Sequence, residues 1–193
     1  MNRIKLFFFE FFNPHLPWLT KDAIILIDKH LKQTHQAFEI GSGRSTIWTL
    51  KKVASLTSIE SDINWYKKIR DSSIEEIKSN KFNYLHLKSV SEYTKAIQSI
   101  DDNSLDFCLI DGEFRDICAI ETIPKIAING MLVIDNINWF IPSLHSSSPA
   151  SIKEHNKFFN ENWKEFYMKT SSWEYIWTSN GVTDTGIFLK PSN

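Results

Sequence analysis

Cysteine is scarce in this chain, with two residues in 193, and Cys108 and Cys118 stand ten positions apart. That spacing fits neither a disulfide framework nor a zinc ligand set, so buried, inert thiols in a reducing, cytoplasmic setting are expected. Charge of one sign is also lacking: 22 Lys and Arg stand against 23 Asp and Glu, and the net charge is −1. The lysines are spread along the chain, which removes nucleic acid from the expected partners. No apolar run is long enough to span a bilayer. The nearest approach, RIKLFFFEFF near the N-terminus, is interrupted by Glu10 and followed by no small-residue cleavage site. Residues 1–19 therefore read as an aromatic arm that packs on the domain or covers a partner, a homodimer being one such assembly. Attachment to a membrane surface is the alternative reading of the same arm.

What is plentiful is apolar residue, at 42% against 23% charged. Those proportions suit one globular domain over residues 1–193, large enough to bury a single core. Helical spacing in LTKDAIILIDKHLKQ predicts a helix over 20–33 with Thr20 as its N-cap. QAFEI reads as a buried strand, GSGRST as its exit turn and TIWTLKKV as the next helix. LTSIE at 56–60 is a second strand, Asp62 caps a long helix through DINWYKKIRDSSIEEIKS, and NYLHLKS at 83–89 is a third strand before the helix SEYTKAIQSI. LDFCLID at 105–111 is the most apolar strand, and GEFRD leads from it into a helix ending near Asn129 and Gly130. MLVIDN follows as the fifth strand, then a Ser-, Pro- and aromatic-rich loop, a helix near 151–167, and the strands SWEYIWTS and DTGIFLK. Alternating strands and helices with continuous apolar strands imply parallel crossovers covered on both faces. The expected fold class is α/β, a doubly wound, mostly parallel, Rossmann-like seven-stranded sheet with a C-terminal antiparallel hairpin strand.

Ligands of such a sheet bind beyond the carboxyl ends of its strands. There the chain carries Glu39 to Ser45, Glu60, Ser89 with Val90, Asp111, and Asp135 with Asn136. Gly41 and Gly43 present no Cβ, so the N–H groups of their turn can approach a ligand closely. Phosphate prefers a helix N-terminus, but Glu39 at its mouth would repel a pyrophosphate. A ligand carrying a cation fits better. Glu60, about twenty residues on, is spaced to accept the hydroxyls of an adenosine ribose. Thr46 stands where a dinucleotide fingerprint needs its third glycine, which counts against NAD.

The set Glu39-x-Gly41-x-Gly43-x-Ser45, with Glu60 closing the second strand, resembles the cofactor motif of class I S-adenosylmethionine-dependent methyltransferases. The strand pattern is similar to that family over roughly residues 20–190. The resemblance implies S-adenosylmethionine as cofactor, with Glu39 and the Gly41, Ser42, Gly43 and Ser45 backbone on its methionine part. It places Glu60 on the ribose, Ser89 and Val90 beside the adenine, and Asp111 on cofactor or substrate. LIDGEFRDICAIETIPKIAINGMLVIDN is similar to the matching region of bacterial methyltransferases of surface-polysaccharide and secondary-metabolite pathways. That implies a small-molecule or sugar hydroxyl as acceptor.

An alcohol must lose its proton during transfer, to a base or with help from a metal. Asp111, Asp135 and His145 are the candidate catalytic groups. Asp111, Asp135 and Asn136 would also form three hard oxygen ligands of the kind Mg²⁺ accepts, similar to the metal set of catechol-type O-methyltransferases. Arg115 would bind an anionic substrate group or pair with Asp111 or Asp116. Residues 136–150 are the candidate substrate lid, bringing Asn136, Trp139, Phe140 and His145 over the acceptor. No pair among His15, His30, His35, His86, His145 and His155 has helical metal-ligand spacing. Two rival readings stay open on sequence: a nicotinamide-linked oxidoreductase, and a non-catalytic methyltransferase-like module whose aromatic arm serves a partner.

Overall fold

A computed structural model describes residues 3–154 and 156–192; His155 lies outside the described residues. The chain runs α1 (Arg3–Phe12), α2 (Lys21–His30), β1 (Gln36–Ile40), α3 (Arg44–Leu50), β2 (Ser55–Glu60), α4 (Ile63–Ser72), α5 (Ile74–Lys78), β3 (Phe82–His86) and α6 (Val90–Gln98). It continues through β4 (Leu105–Ile110), α7 (Arg115–Thr122), β5 (Ile126–Asp135), α8 (Glu161–Lys169), β6 (Glu174–Ser179) and β7 (Asp184–Leu189). The seven strands form one sheet in the order β3-β2-β1-β4-β5-β7-β6. Strands β1 to β5 pair in parallel, and β7 runs antiparallel to both β5 and β6. The expected fold class is the observed one.

Alternate residues of the central strands enter opposite cores, which is why those strands read as unbroken apolar runs. Phe38, Ile40, Cys108, Ile110, Leu132 and Ile134 pack with Tyr93 and Ile97 of α6, Cys118 of α7 and Trp163 of α8. Ala37, Phe107, Leu109, Met131 and Val133 pack on the other face with Ala23 and Ile27 of α2, Trp48 of α3 and Ile69 of α4. Both cysteines are free and buried, and burial pushes the Cys118 thiol up to about 12. Trp163 and Trp173 are core residues.

Several element boundaries differ from expectation, each for a local reason. The long helix after Asp62 breaks at Ser73, whose φ of −128° leaves the helical region, while Ser72 turns its hydroxyl back onto the carbonyls of Lys68 and Ile69. The helix after β4 stops at Thr122 because Pro124 follows in a tight turn over 123–125. Strand β5 therefore starts at Ile126, and Asn129, at φ 63°, sits inside it as a bulge rather than at a helix end. Among the described residues of 151–160 no helix forms; α8 begins at Glu161, where the Asn160 side chain accepts the Trp163 N–H at 3.0 Å.

Candidate functional site at the carboxyl rim

The sheet order reverses between β1 and β4, and the turns leaving these strands touch there. A Cβ on Gly41 would lie 2.6 Å from the Asp111 carbonyl oxygen, and one on Gly112 would lie 2.7 Å from the Gly41 nitrogen. Gly41 also holds φ 86°, a backbone conformation that side chains disfavour. The Gly41 N–H donates to Ile59 O at 2.8 Å and the Asp111 N–H to Ile40 O at 2.8 Å, so the strands themselves fix both turns. Above them lies a cavity of about 200 Å³ lined by Gly41, Ser42, Gly43, Ser45, Asp111 and, from outside the expected set, Trp18, Leu19, Arg44 and Trp65.

The two acids of the first turns are fully engaged. Glu39, 1% exposed, accepts Ser45 Oγ at 2.6 Å on one oxygen and the Thr46 and Ser58 hydroxyls on the other. Burial pushes Glu39 up to about 7, against the opposing pull of those three hydroxyls. Glu60 receives the Ser61 and Asp62 N–H groups at 2.8 Å on Oε1, and Ser42 N and Oγ at 3.0 and 2.9 Å on Oε2. Both carboxylates thus brace the glycine turn, Glu39 from below and Glu60 from the side. Ser42 also meets the Tyr84 hydroxyl at 2.5 Å and its carbonyl accepts the Trp65 indole N–H. Ser89 and Val90 open α6, where Ser89 forms a capping box with Glu92; neither lines the cavity.

The second pair of turns is organised by Arg115. Its Nη2 pairs with Asp111 Oδ1 at 2.9 Å. Its Nη1 donates to Asp135 O at 2.7 Å and Asn136 Oδ1 at 2.9 Å, and its Nε donates to Gly112 O at 2.9 Å. Asp111, Asp135 and Asn136 do meet on one rim, as the sequence implied. The centre of that set, however, is a guanidinium, and Asp135 turns its side chain away to accept Thr185 Oγ1 at 2.7 Å. This donor set does not fit a divalent cation: the side chains offered to the metal are already engaged by Arg115 and Thr185. Among the described residues no group of three or more His, Cys, Asp or Glu is disposed to hold a metal.

Burial raises Asp135 to about 8, with the Asp111 charge adding to the effect, and raises Asp111 to about 6 in spite of Arg115. Asp135 is 3% exposed, whereas the Asp111 side chain keeps 32% and borders the cavity. Asp111 is therefore the acid of this pair that a ligand can reach.

The segment expected to act as a lid is tied down. Asn138 is fully buried and its side-chain oxygen accepts the Asp184 N–H at 3.1 Å. Ser148 donates to Val182 O at 2.8 Å and Ser147 meets the Ser179 hydroxyl at 2.7 Å, so 137–148 is laced to the β6–β7 hairpin. Phe140 stacks on Trp163 with ring centroids 4.7 Å apart, which anchors the loop to the core. Trp139 is 46% exposed beside Phe140. His145 is exposed, its only described hydrogen bond being its own N–H to Ser143 Oγ; neither residue lines the glycine-turn cavity.

Sequence reasoning missed Trp18, Leu19, Arg44, Trp65, Tyr84 and Gly112. Two left a signal: Gly112, as a second glycine after an apolar strand in LIDGEF, and Arg44, inside the turn GSGRST. The others reach the turn through tertiary packing, which no spacing announces.

With this geometry, the chain can be set beside known structures. No protein-family model and no curated protein sequence matches it. An O-methyltransferase from Bacillus cereus in complex with SAH (S-adenosylhomocysteine) superposes with a TM-score of 0.58 at 13% identity, over 86% of this chain and 78% of that one. A Staphylococcus aureus structure provisionally named caffeoyl-CoA O-methyltransferase gives 0.63 at 16% identity, over 98% and 93%. A methyltransferase from Geobacter sulfurreducens gives 0.58 at 9%, over 98% and 88%. The chain thus has the class I methyltransferase fold.

Proposed function

We propose that this protein is an S-adenosylmethionine-dependent methyltransferase that methylates a hydroxyl on a small molecule or sugar. The observation that carries the reading is the cavity at the β1–β4 switch point, floored by Gly41 and Gly43 main chain, with Asp111 at its lip. S-adenosylmethionine would supply an electrophilic methyl group on a sulfonium. Gly41, Ser42, Gly43 and Ser45 would hold its amino-acid end, and Glu39 and Glu60 would act through the turn they brace, Glu60 exchanging Ser42 for a ribose hydroxyl. Asp111 borders the cavity with part of its side chain open, so an acceptor hydroxyl would donate to its carboxylate, which would take that proton as the oxygen bonds to the methyl carbon and the methyl–sulfur bond breaks to release S-adenosylhomocysteine. Arg115 fixes the Asp111 carboxylate and carries compensating positive charge. Most of the acceleration would come from alignment and exclusion of water at this lip.

The test is thermal unfolding alone, with S-adenosylhomocysteine, and with NAD. Ligand at a hundred times its dissociation constant adds about 2.7 kcal/mol, a rise of roughly 5 to 10 °C in midpoint for a chain of this size. A rise with S-adenosylhomocysteine and none with NAD supports the proposal; the reverse pattern replaces it with the oxidoreductase reading. Turnover on an acceptor panel that is indifferent to chelator is expected, since Arg115 occupies the place of a cation.

A further inference from the structure

The least explained surface of the molecule is α1. Its inward side carries Leu6 and Phe9, and Phe9 packs on the core between sheet and α2. Its outward side carries Ile4, Phe7, Phe8, Phe11 and Phe12, between 52% and 72% exposed. The spacing 4-7-8-11-12 is one continuous stripe along a helix. Phe7 stacks on Phe11 and Phe8 on Phe12, with centroids 6.2 and 6.3 Å apart, so the stripe is a pre-ordered aromatic face. Glu10, the only acid of α1, lies off the stripe and is half-buried.

Beside the C-terminal end of α1 is a cavity of about 300 Å³ whose lining includes His15, Trp18, Arg44, Lys51, Trp65 and Lys68. It contains no acidic side chain. Arg44 lies 4.7 Å over the Trp18 ring and reaches the Glu10 carbonyl at 3.4 Å, while Lys68 lies 4.3 Å over Trp65. Among the described residues, Arg44, Lys51 and Lys68 have no carboxylate partner, whereas Lys52, Lys78, Lys125, Lys157, Lys164 and Lys169 each have one. An apolar stripe and a cluster of uncompensated cations thus adjoin each other.

We propose that this face docks on an anionic lipid bilayer, with α1 in the plane of the interface. The aromatic stripe enters the boundary between headgroups and acyl chains, and Arg44, Lys51 and Lys68 meet anionic headgroups; each contribution is weak alone and the two together hold a protein on a membrane. A second copy of the chain fits less well. Side chains of about 150 to 200 Å² each, partly covered already, leave the stripe roughly 500 to 600 Å² to bury per copy, below the ~800 Å² per partner of a standard interface. A symmetric pair would also bring two uncompensated cationic clusters together, where a bilayer supplies the opposite charge. Because Trp18, Gly43, Arg44 and Trp65 line both this cavity and the glycine-turn cavity, docking holds the candidate site beside the lipid surface. The proposal does not depend on the methyltransferase reading.

The test is co-sedimentation of the full chain with phosphatidylcholine vesicles, with and without about 30% phosphatidylglycerol, at about 0.1 M and about 0.5 M salt. The expected result is binding to the anionic vesicles at least about tenfold stronger than to neutral ones, reduced by salt. The double variant Phe7→Ser, Phe11→Ser should lose binding at least about tenfold with its unfolding midpoint unchanged, because both rings face outward. Lys51→Gln with Lys68→Gln should abolish the preference for anionic lipid. The proposal is overturned if the chain stays in solution with both vesicle types, if binding is indifferent to lipid charge and salt, or if sedimentation velocity shows a dimer dissolved by the Phe changes without vesicle binding. The salt series on the unchanged chain decides the matter even if the Phe variant fails to fold.

Discussion

The rim of the sheet has two halves that use acidic residues in opposite ways. After β1 and β2, Glu39 and Glu60 spend every carboxylate oxygen on hydroxyls and N–H groups of the chain, so their work is the shape of the glycine turn. After β4 and β5, Asp111 pairs with a guanidinium that also takes the Asp135 carbonyl, the Asp135 side chain turns to Thr185, and Asp111 still faces a cavity. The first half is a mould and the second is a balanced set of charges. Acids of one rim therefore predict different losses when altered: geometry and binding in one half, charge balance and chemistry in the other.

The hardest blow to both halves is Gly41→Val. Its Cβ would overlap the Asp111 carbonyl at 2.6 Å, at a backbone φ of 86°, so strain and a displaced turn together should cost about 4 kcal/mol or more. A fall of at least about 10 °C in the unfolding midpoint is expected; a midpoint within a few degrees of the unaltered chain would mean the two turns are not in contact. Next comes Arg115→Ala, which strands Asp111 and the Asp135 and Gly112 carbonyls. Loss of one partner of a buried pair costs about 3 to 5 kcal/mol; with Asp111 partly open to solvent, about 2 to 3 is expected. If the charge-balance account holds, Arg115→Lys should recover part of that loss, and equal instability of Lys and Ala variants would show that the fork geometry alone matters.

Glu60→Gln probes the mould more gently. It keeps size and one acceptor oxygen but loses charge toward Ser61, Asp62 and Ser42 N–H groups. Affinity for S-adenosylhomocysteine, measured by calorimetry, should drop about tenfold to a hundredfold, the worth of one or two weakened charged hydrogen bonds, while the unfolding midpoint moves by only a few degrees. Unchanged affinity would remove the glycine turn from the cofactor's path.

These contrasts also show how much of the molecule was readable from its residues. Strand runs such as LDFCLI and MLVID announce a doubly covered parallel sheet because both faces of each strand must be apolar, and the hairpin around Asn180 and Gly181 is likewise visible in composition. Boundaries set by one or two local residues were not, as at Ser72–Ser73 and Asn160, because Ser and Asn can cap a helix or end it. Within the site, period and spacing located Glu39, Gly41, Gly43, Glu60 and Asp111 correctly at strand ends. They could not reveal occupancy: one Glu60 oxygen is taken by a turn eighteen residues away and the other by the N–H groups that follow it, and Arg115 draws on Gly112, Asp135 and Asn136, which only the fold brings together. The expected metal set meets Arg115 for the same reason, since three oxygen donors in a sequence give no warning of a guanidinium among them.

The finest separation of the two halves is by pH. Burial raises Asp135 to about 8 and Glu39 to about 7, above the roughly 4 of unfolded carboxyls. Between pH ~4 and those values the folded chain holds protons that the unfolded chain has released, so stability falls as pH rises through the window, by at most about 1.4 kcal/mol per unit for each group, and levels off above it. His35 acts in the opposite direction, since burial lowers its pKa below 6.5, so the midpoint of the unaltered chain alone is a mixed signal. The difference between chains isolates each half. Asp135→Asn keeps an acceptor for Thr185, and should flatten the decline up to about pH 8; Glu39→Gln should flatten it only up to about pH 7. If both variants track the unaltered chain from pH 5 to 8, neither carboxyl is protonated in the folded state, and Asp135 must be buried as a carboxylate beside Arg115.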